Sequence, residues 1–276
     1  MKQLIVSAAS KGAAEICLTG KQYTYLVRVL RKRRGETLTV TFCDGFQCEC
    51  LITHIDTGAK KLFLKPQSPV ECGCDTKAPS LVSAAPTVKL ILLQWLLKGA
   101  KLDTVVRQAT ELGVHAVFLV SGEFSVVQAV SNAKESRYMR IVTEARQQSG
   151  SPIATMVFPS MRLEHVLEQV DTMIEKLKVG EPDAKQGAVE RIVFSERSET
   201  TESLHERLCS APGIVVLAVG PEGGMSEPEY ALLARAGFKT CHLRTNILRA
   251  ETASLYALAS VQTITEENTW QLKEYS

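Results

Sequence analysis

Residues 220–224 read Gly-Pro-Glu-Gly-Gly and residues 246–253 read Asn-Ile-Leu-Arg-Ala-Glu-Thr-Ala, two segments whose residue types suit a ligand pocket. Gly220, Gly223 and Gly224 remove side chains where backbone bends sharply or approaches a ligand closely, and Pro221 fixes its own φ within the turn. A glycine loop after an apolar strand points first to a nucleotide. The dinucleotide fingerprint does not fit, because the glycines lack G-x-G-x-x-G spacing and no Asp or Glu lies between Glu229 and Glu251 to take a ribose hydroxyl. The phosphate loop does not fit either, since no Gly-Lys-Ser/Thr follows. Glycine content alone is equally compatible with a plain connecting turn. The second segment favours the pocket.

The elements around these segments explain how they are held. Residues 214–219 read IVVLAV, an unbroken apolar run expected for a strand buried on both faces. Ser226 and Glu229, with Pro228 between them, form a capping box that opens a helix ending at Gly237. Residues 238–243 (FKTCHL) are β-compatible, so strand, glycine loop, helix and strand make a right-handed crossover. After LRTNIL at 243–248, Arg249 and Glu251 open a helix whose body, 252–261, carries no charge and is expected to be buried in the core or against a second subunit. Both loops are expected at the carboxyl ends of neighbouring parallel strands, where open α/β sheets bind ligands.

The length of 276 residues suits two domains. Residues 1–72 hold short alternating segments at 37–42, 47–52 and 61–64, separated by Asp44-Gly45 and Gly58, as in a small antiparallel barrel. Residues 73–79 read as a linker. From 80 to 276, strand candidates at 89–93, 115–120, 192–194 and 214–219 alternate with helical patterns such as 103–112 and 135–149, the pattern of an α/β parallel sheet. The polar stretch 178–190 reads as an exposed excursion.

Net charge is only +2, so its distribution matters more than its sum. Arg28, Arg31, Lys32, Arg33 and Arg34 put five cations in seven residues, which suits RNA phosphates or, more plainly, a solvated basic turn. Lys98, Lys101, Arg137 and Arg140 extend that surface or are ordinary solvent-facing charges. Eight cysteines include Cys48, Cys50, Cys72 and Cys74, but none in Cys-x-x-Cys spacing, so reduced thiols are expected in place of a metal site. His205-Glu206 lacks the second histidine of a zinc protease, its place being Cys209, and no Gly-x-Ser-x-Gly elbow is present. No secretory signal is evident and the apolar run 90–97 is too short to span a bilayer, so a cytoplasmic location is expected.

GPEGGMSEPE followed by NILRAETASLYAL resembles the C-terminal signature of the RsmE-type methyltransferases, SPOUT-class enzymes that methylate N3 of a uridine in small-subunit ribosomal RNA. YLVRVLR at 25–31 with Gly35, ATELGV at 109–114, Glu123 with Ser125, and EARQQS at 144–149 match the family in order. The resemblance implies a C-terminal trefoil-knotted parallel sheet with helices on both faces, an N-terminal PUA-like β-barrel, S-adenosyl-L-methionine bound in the knot, and a homodimer acting on small-subunit rRNA or the assembled 30S subunit. It further implies cofactor contacts from Ala218, Val219, Gly220, Gly223, Gly224, Leu243, Asn246, Ile247, Leu248 and Ser195, with Glu196 beside Ser195 in a remaining knot loop. Arg249 is expected at a uracil carbonyl or in a salt bridge to Glu222 or Glu251, and either glutamate could serve as general base if burial raised its pKa. The chain departs from the family pattern at Arg244, Asn246, Phe124, Ser151 and Lys2. A knotted RNA-binding protein that has lost or altered methyl transfer, or a related enzyme acting on another RNA site, is the alternative.

Overall fold

The computed structural model describes residues 4–6, 13–42, 47–69, 86–125, 132–178, 188–195, 202–243 and 245–274. The chain divides into two compact units, Met1–Ser83 with Arg146–Ala154, and Ala84–Ala145 with Thr155–Ser276. The expected linker at 73–79, with Cys72 and Cys74, lies outside the described residues, as do Lys2, Asp44-Gly45, Glu196, Arg244 and 179–187 of the expected excursion.

The first unit is a five-stranded sheet of β1 (Leu4–Val6), β2 (Ile16–Leu18), β3 (Thr37–Phe42), β4 (Gln47–Asp56) and β5 (Lys61–Pro69), in the order β1-β3-β4-β5-β2. Alternation explains its core: Cys48, Cys50 and Ile52 on β4 and Leu62 and Leu64 on β5 point inward with Val40 and Phe42 of β3. Irregularities in the β4–β5 register, between Glu49 and Cys50 and between Ile52 and His54, interrupt the regular pairing. The sequence predicts an antiparallel barrel, but β1 pairs with β3 in parallel. The reason is the long connection through β2 and α1 (Gly20–Thr24), which lets the chain return in the same direction. The Cys50 thiol is pushed up to about 12, first by burial and then by the adjacent Cys48.

The second unit is a six-stranded, wholly parallel sheet. Its strands are β6 (Lys89–Trp95), β7 (Ala116–Val120), β8 (Met156–Met161), β9 (Val189–Phe194), β10 (Ile214–Val219) and β11 (Lys239–Cys241), in the order β11-β9-β10-β6-β7-β8. The apolar runs on β6 and β10 divide between two cores. Leu90, Leu92, Val215 and Leu217 face α2 (Lys101–Glu111), α3 (Asn132–Ser149), α5 (Leu204–Leu208) and α7 (Ala250–Glu274), through residues such as Leu102, Ile141, Leu208 and Leu258. Ile91, Leu93, Val216 and Ala218 face α4 (Leu163–Lys178) and α6 (Glu227–Arg235), through Val166, Val170 and Leu233. Helices on both faces require strands apolar on both faces, which is why these runs do not alternate.

The sequence expectation that the two site-bearing strands are neighbours does not hold. β10 and β11 are not neighbours, because β9 runs between them and pairs with both. The crossover through α6 therefore passes over one strand. The charge-free body expected to be buried, 252–261, is part of α7 and is only half buried: Ser254, Ala257, Leu258 and Val261 face the core, whereas Tyr256 is 46% exposed. No helix of the described residues is long and apolar enough to cross a membrane.

Candidate active site

The glycine loop leaves β10 at Val219 and turns where the Gly224 amide donates to the Pro221 carbonyl at 3.0 Å, with Gly224 at φ 77°, a conformation that favours glycine. Ser226 then caps α6 as the sequence predicts. Its hydroxyl accepts from the Glu229 amide and its own amide donates to Glu229 Oε2 at 2.7 Å. Glu229 has a second role that spacing does not reveal. Its buried Oε1 accepts from Trp95 Nε1 at 2.8 Å and from the Glu123 amide at 3.3 Å, joining the carboxyl ends of β6 and β7 to the start of α6. Gly122 packs so tightly there that a Cβ would overlap Trp95 Cδ1 and Nε1 and lie 2.7 Å from Glu229 Oε1.

Gln94, wholly buried at the end of β6, donates to the carbonyls of Trp95 and Val219 and accepts from the Ser254 hydroxyl of α7. It thus joins the end of β10 to the helix that follows the second segment. Around β9, the Tyr230 hydroxyl donates to Ser195 Oγ at 3.0 Å, and His242 Nδ1 lies 3.1 Å from the Ser195 carbonyl. These bonds tie α6, β9 and β11 at one end of the sheet.

A cavity of about 770 Å³ opens at these carboxyl ends, within the size range of small-molecule sites. Val219, Gly220, Glu222, Gly223, Gly224, Leu243, Asn246, Ile247, Leu248, Arg249 and Ser195 all line it. Ala218 and Glu251 do not; Ala218 is fully buried in β10 and Glu251 lies in the first turn of α7. Phe124, Tyr230 and His242 line the cavity without having been singled out as cofactor contacts. Tyr230 lies one helix turn into α6 and His242 just past β11, close in sequence to the two segments, whereas Phe124 comes from the loop after β7 and is brought to the cavity by the packing of β7 in the sheet.

Electrostatics sort the three charged candidates. Lys101, at the start of α2, lies 2.8 Å from Glu222 Oε1 and 3.4 Å from Glu251 Oε2. Arg249 forms neither expected salt bridge: its side chain is exposed and has no ion pair among the described residues. Partial burial pushes the Glu222 carboxyl up, but the Lys101 hydrogen bond and nearby amides outweigh it and hold the group below the usual carboxylate range. That shift opposes a general-base role. Lys101 itself is raised, chiefly by its hydrogen bond to Glu222. Glu251 Oε2 is buried and, beyond that ion pair, accepts no hydrogen bond.

In the first unit, Arg28, Arg31, Arg33 and Arg34 present exposed side chains, while half-buried Lys32 pairs with Glu36 at 2.9 Å. Arg28 lies in the π-helical turn Tyr25–Val29 that follows α1, and the other four come just after it. No group of three or more His, Cys, Asp or Glu among the described residues could hold a metal ion.

Residues 84–262 match the RNA methyltransferase domain family, and residues 18–66 match the RNA methyltransferase PUA domain. The Ribosomal RNA small subunit methyltransferase E of Bacillus subtilis is 26% identical over 257 residues, covering 92% of each chain. The Synechocystis protein of that name is 26% identical over 264 residues, 96% of this chain and 78% of its own. Among solved structures, the Neisseria gonorrhoeae Ribosomal RNA small subunit methyltransferase E, bound to S-adenosyl methionine, superposes with a TM-score of 0.70 at 24% identity, over 95% of this chain and 98% of that one.

Proposed function

The chain belongs to the RNA methyltransferase family, and from that premise we propose that it methylates N3 of a uridine in small-subunit ribosomal RNA, using S-adenosyl-L-methionine. The observation that carries the proposal is the pairing of a sheet-end cavity with an exposed Arg249 on its wall, beside two glutamates already engaged by Lys101. The cavity fits the cofactor in kind. Its wall includes the end of β10 and two tight glycines, for a Cβ on Gly220 would lie 3.1 Å from Met225 Cγ and one on Gly223 3.3 Å from Phe124 Cβ. Backbone of Val219, Gly220, Ile247 and Leu248 would hold the adenine, Gly223 and Gly224 would admit the ribose, and Leu243 would form the floor.

S-adenosyl-L-methionine supplies a methyl group already activated on a sulfonium, so the protein's share is alignment and charge stabilisation. N3 of the uridine gives up its proton as it accepts the methyl group, and negative charge gathers on the flanking carbonyls. Arg249 stabilises that charge from the cavity wall. Glu222, held ionised by Lys101, is a weak proton acceptor and acts as a loop anchor. Glu251 is the carboxylate left to test for receipt of the N3 proton.

The five-cation cluster from Arg28 to Arg34 holds RNA phosphates. The half-exposed, charge-free part of α7 joins two copies as a homodimer, the C-terminal segments form the knot, and the protein works in the cytoplasm on free rRNA or the 30S subunit. The test is transfer of labelled methyl to purified 16S rRNA and to 30S subunits, followed by mass-spectrometric mapping of 3-methyluridine. One modified uridine is expected. Folded protein that transfers no methyl to either substrate overturns the proposal, and calorimetry with S-adenosylhomocysteine then shows whether cofactor binding itself is missing.

A further inference from the structure

We propose that Phe124 is the stacking platform for the target base, so that the enzyme acts on an unpaired, extruded pyrimidine; the inference rests on the uridine-N3 reading above. Phe124 is 49% exposed and lines the cavity, although the loop that carries it is anchored on both sides. The Glu123 amide donates to buried Glu229, the Ser125 amide donates to the Gly122 carbonyl at 3.2 Å, and Ser125 is only 3% exposed. A phenyl ring held half in water on a fixed loop loses the burial that aromatic residues normally gain, and a flat ligand restores it. Gly223 brings the glycine loop directly beneath: a Cβ there would meet Phe124 Cβ at 3.3 Å and the Phe124 carbonyl at 3.5 Å.

The rest of the cavity wall identifies the ligand's chemistry. Ile247, 82% exposed, and Arg249 share that wall with Phe124. Among the described residues of the wall, two exposed apolar groups with one arginine suit a flat ring bearing carbonyl oxygens. A pyrimidine offers such a ring. Its N3 lies on the Watson–Crick edge and its faces are covered in a duplex, so both the reaction and the stacking require the base out of its helix.

The experiment uses the full-length protein and an RNA fragment containing the uridine it modifies, made with that uridine or with an abasic nucleotide in its place. Stacking on an aromatic residue predicts that Phe124→Ala lowers kcat/KM for the uridine RNA roughly ten- to a hundred-fold, and that Phe124→Tyr restores it to within about threefold. S-adenosylhomocysteine affinity stays within about twofold in both variants. Wild type binds the uridine RNA more tightly than the abasic RNA, and Phe124→Ala abolishes most of that preference. An undiminished preference in Phe124→Ala, or unchanged kcat/KM, overturns the stacking role while leaving the methyltransferase reading standing. Absence of transfer by the wild type overturns that reading, and this inference with it.

Discussion

Replacing Gly122 by alanine drives a methyl group into Trp95 Cδ1 and Nε1 and to 2.7 Å from Glu229 Oε1, where real Cβ contacts essentially never fall below 3.0 Å. Neither neighbour has room to yield. Trp95 is fully buried and Glu229 is held by its capping box and by the Glu123 amide. Overpacking of this kind costs about 1–3 kcal/mol. Displacing the indole also stretches the 2.8 Å bond from Trp95 Nε1 to Glu229, and a hydrogen bond to a charged group is worth about 1.5–3 kcal/mol. The two effects together give a loss of about 2.5–6 kcal/mol. For a unit of this size that is a fall in Tm of roughly 5–24 °C. Urea unfolding followed by tryptophan fluorescence reads it, since Trp95 is one of only two tryptophans. In a Trp95→Leu background, where the clash is relieved, Gly122→Ala should cost at least about 1 kcal/mol less. A Gly122→Ala protein within about 1 kcal/mol of wild type, or strict additivity with Trp95→Leu, refutes the argument.

Arg249→Ala should lower kcat for methyl transfer about 100-fold or more with little change in S-adenosylhomocysteine affinity, because the lost charge acts on the reacting base; equal losses in kcat and in binding would assign it to the cofactor instead. Lys101→Met leaves Glu222 and Glu251 without their shared cation, so transfer should fall at every salt concentration while the urea midpoint moves little; a large midpoint shift would make Lys101 a stability residue. His115 is pushed down from 6.5 to about 4, chiefly by burial and then by Lys89. Between those values the unfolded chain binds a proton that the native ring does not, so the contribution is complete above about pH 6.5 and is lost as pH falls towards 4, by up to about 3 kcal/mol. His115→Gln should therefore flatten the decline in urea midpoint between pH 7 and 4.5, and an unchanged decline would exclude the burial argument.

What the sequence makes legible follows the range of each interaction. IVVLAV marks β10 because a strand buried on both faces has no polar positions to interrupt it, and Ser226 with Glu229 marks the start of α6 because a capping box spans only three residues. β8 is poorly marked: it lies at the sheet edge with partly exposed side chains and contains Pro159, so it shows neither an apolar run nor clean alternation. The position of β9 between β10 and β11 has no local signature at all. Most of the cavity's lining from the two glycine- and arginine-bearing segments is legible for the same reason, whereas Phe124 arrives from the loop after β7, far from both segments in sequence.

Glu229 shows how a short-range motif can conceal a long-range one. Its carboxylate completes a local cap through Oε2, and its other oxygen receives the indole of Trp95 from a strand 134 residues away in sequence. Lys101 does the same for charge. Seen alone, it is a lysine at the start of an amphipathic helix; in the fold it pairs with both Glu222 and Glu251, the carboxylates expected from sequence as partners of Arg249. An arginine that neutralises a neighbouring carboxylate has less field to offer an anionic base, and Lys101 already satisfies both Glu222 and Glu251. The catalytic charge proposed for Arg249 thus depends on a residue well over a hundred positions earlier, and removing Lys101 should impair Arg249 by capture of its side chain even where no cofactor contact is lost.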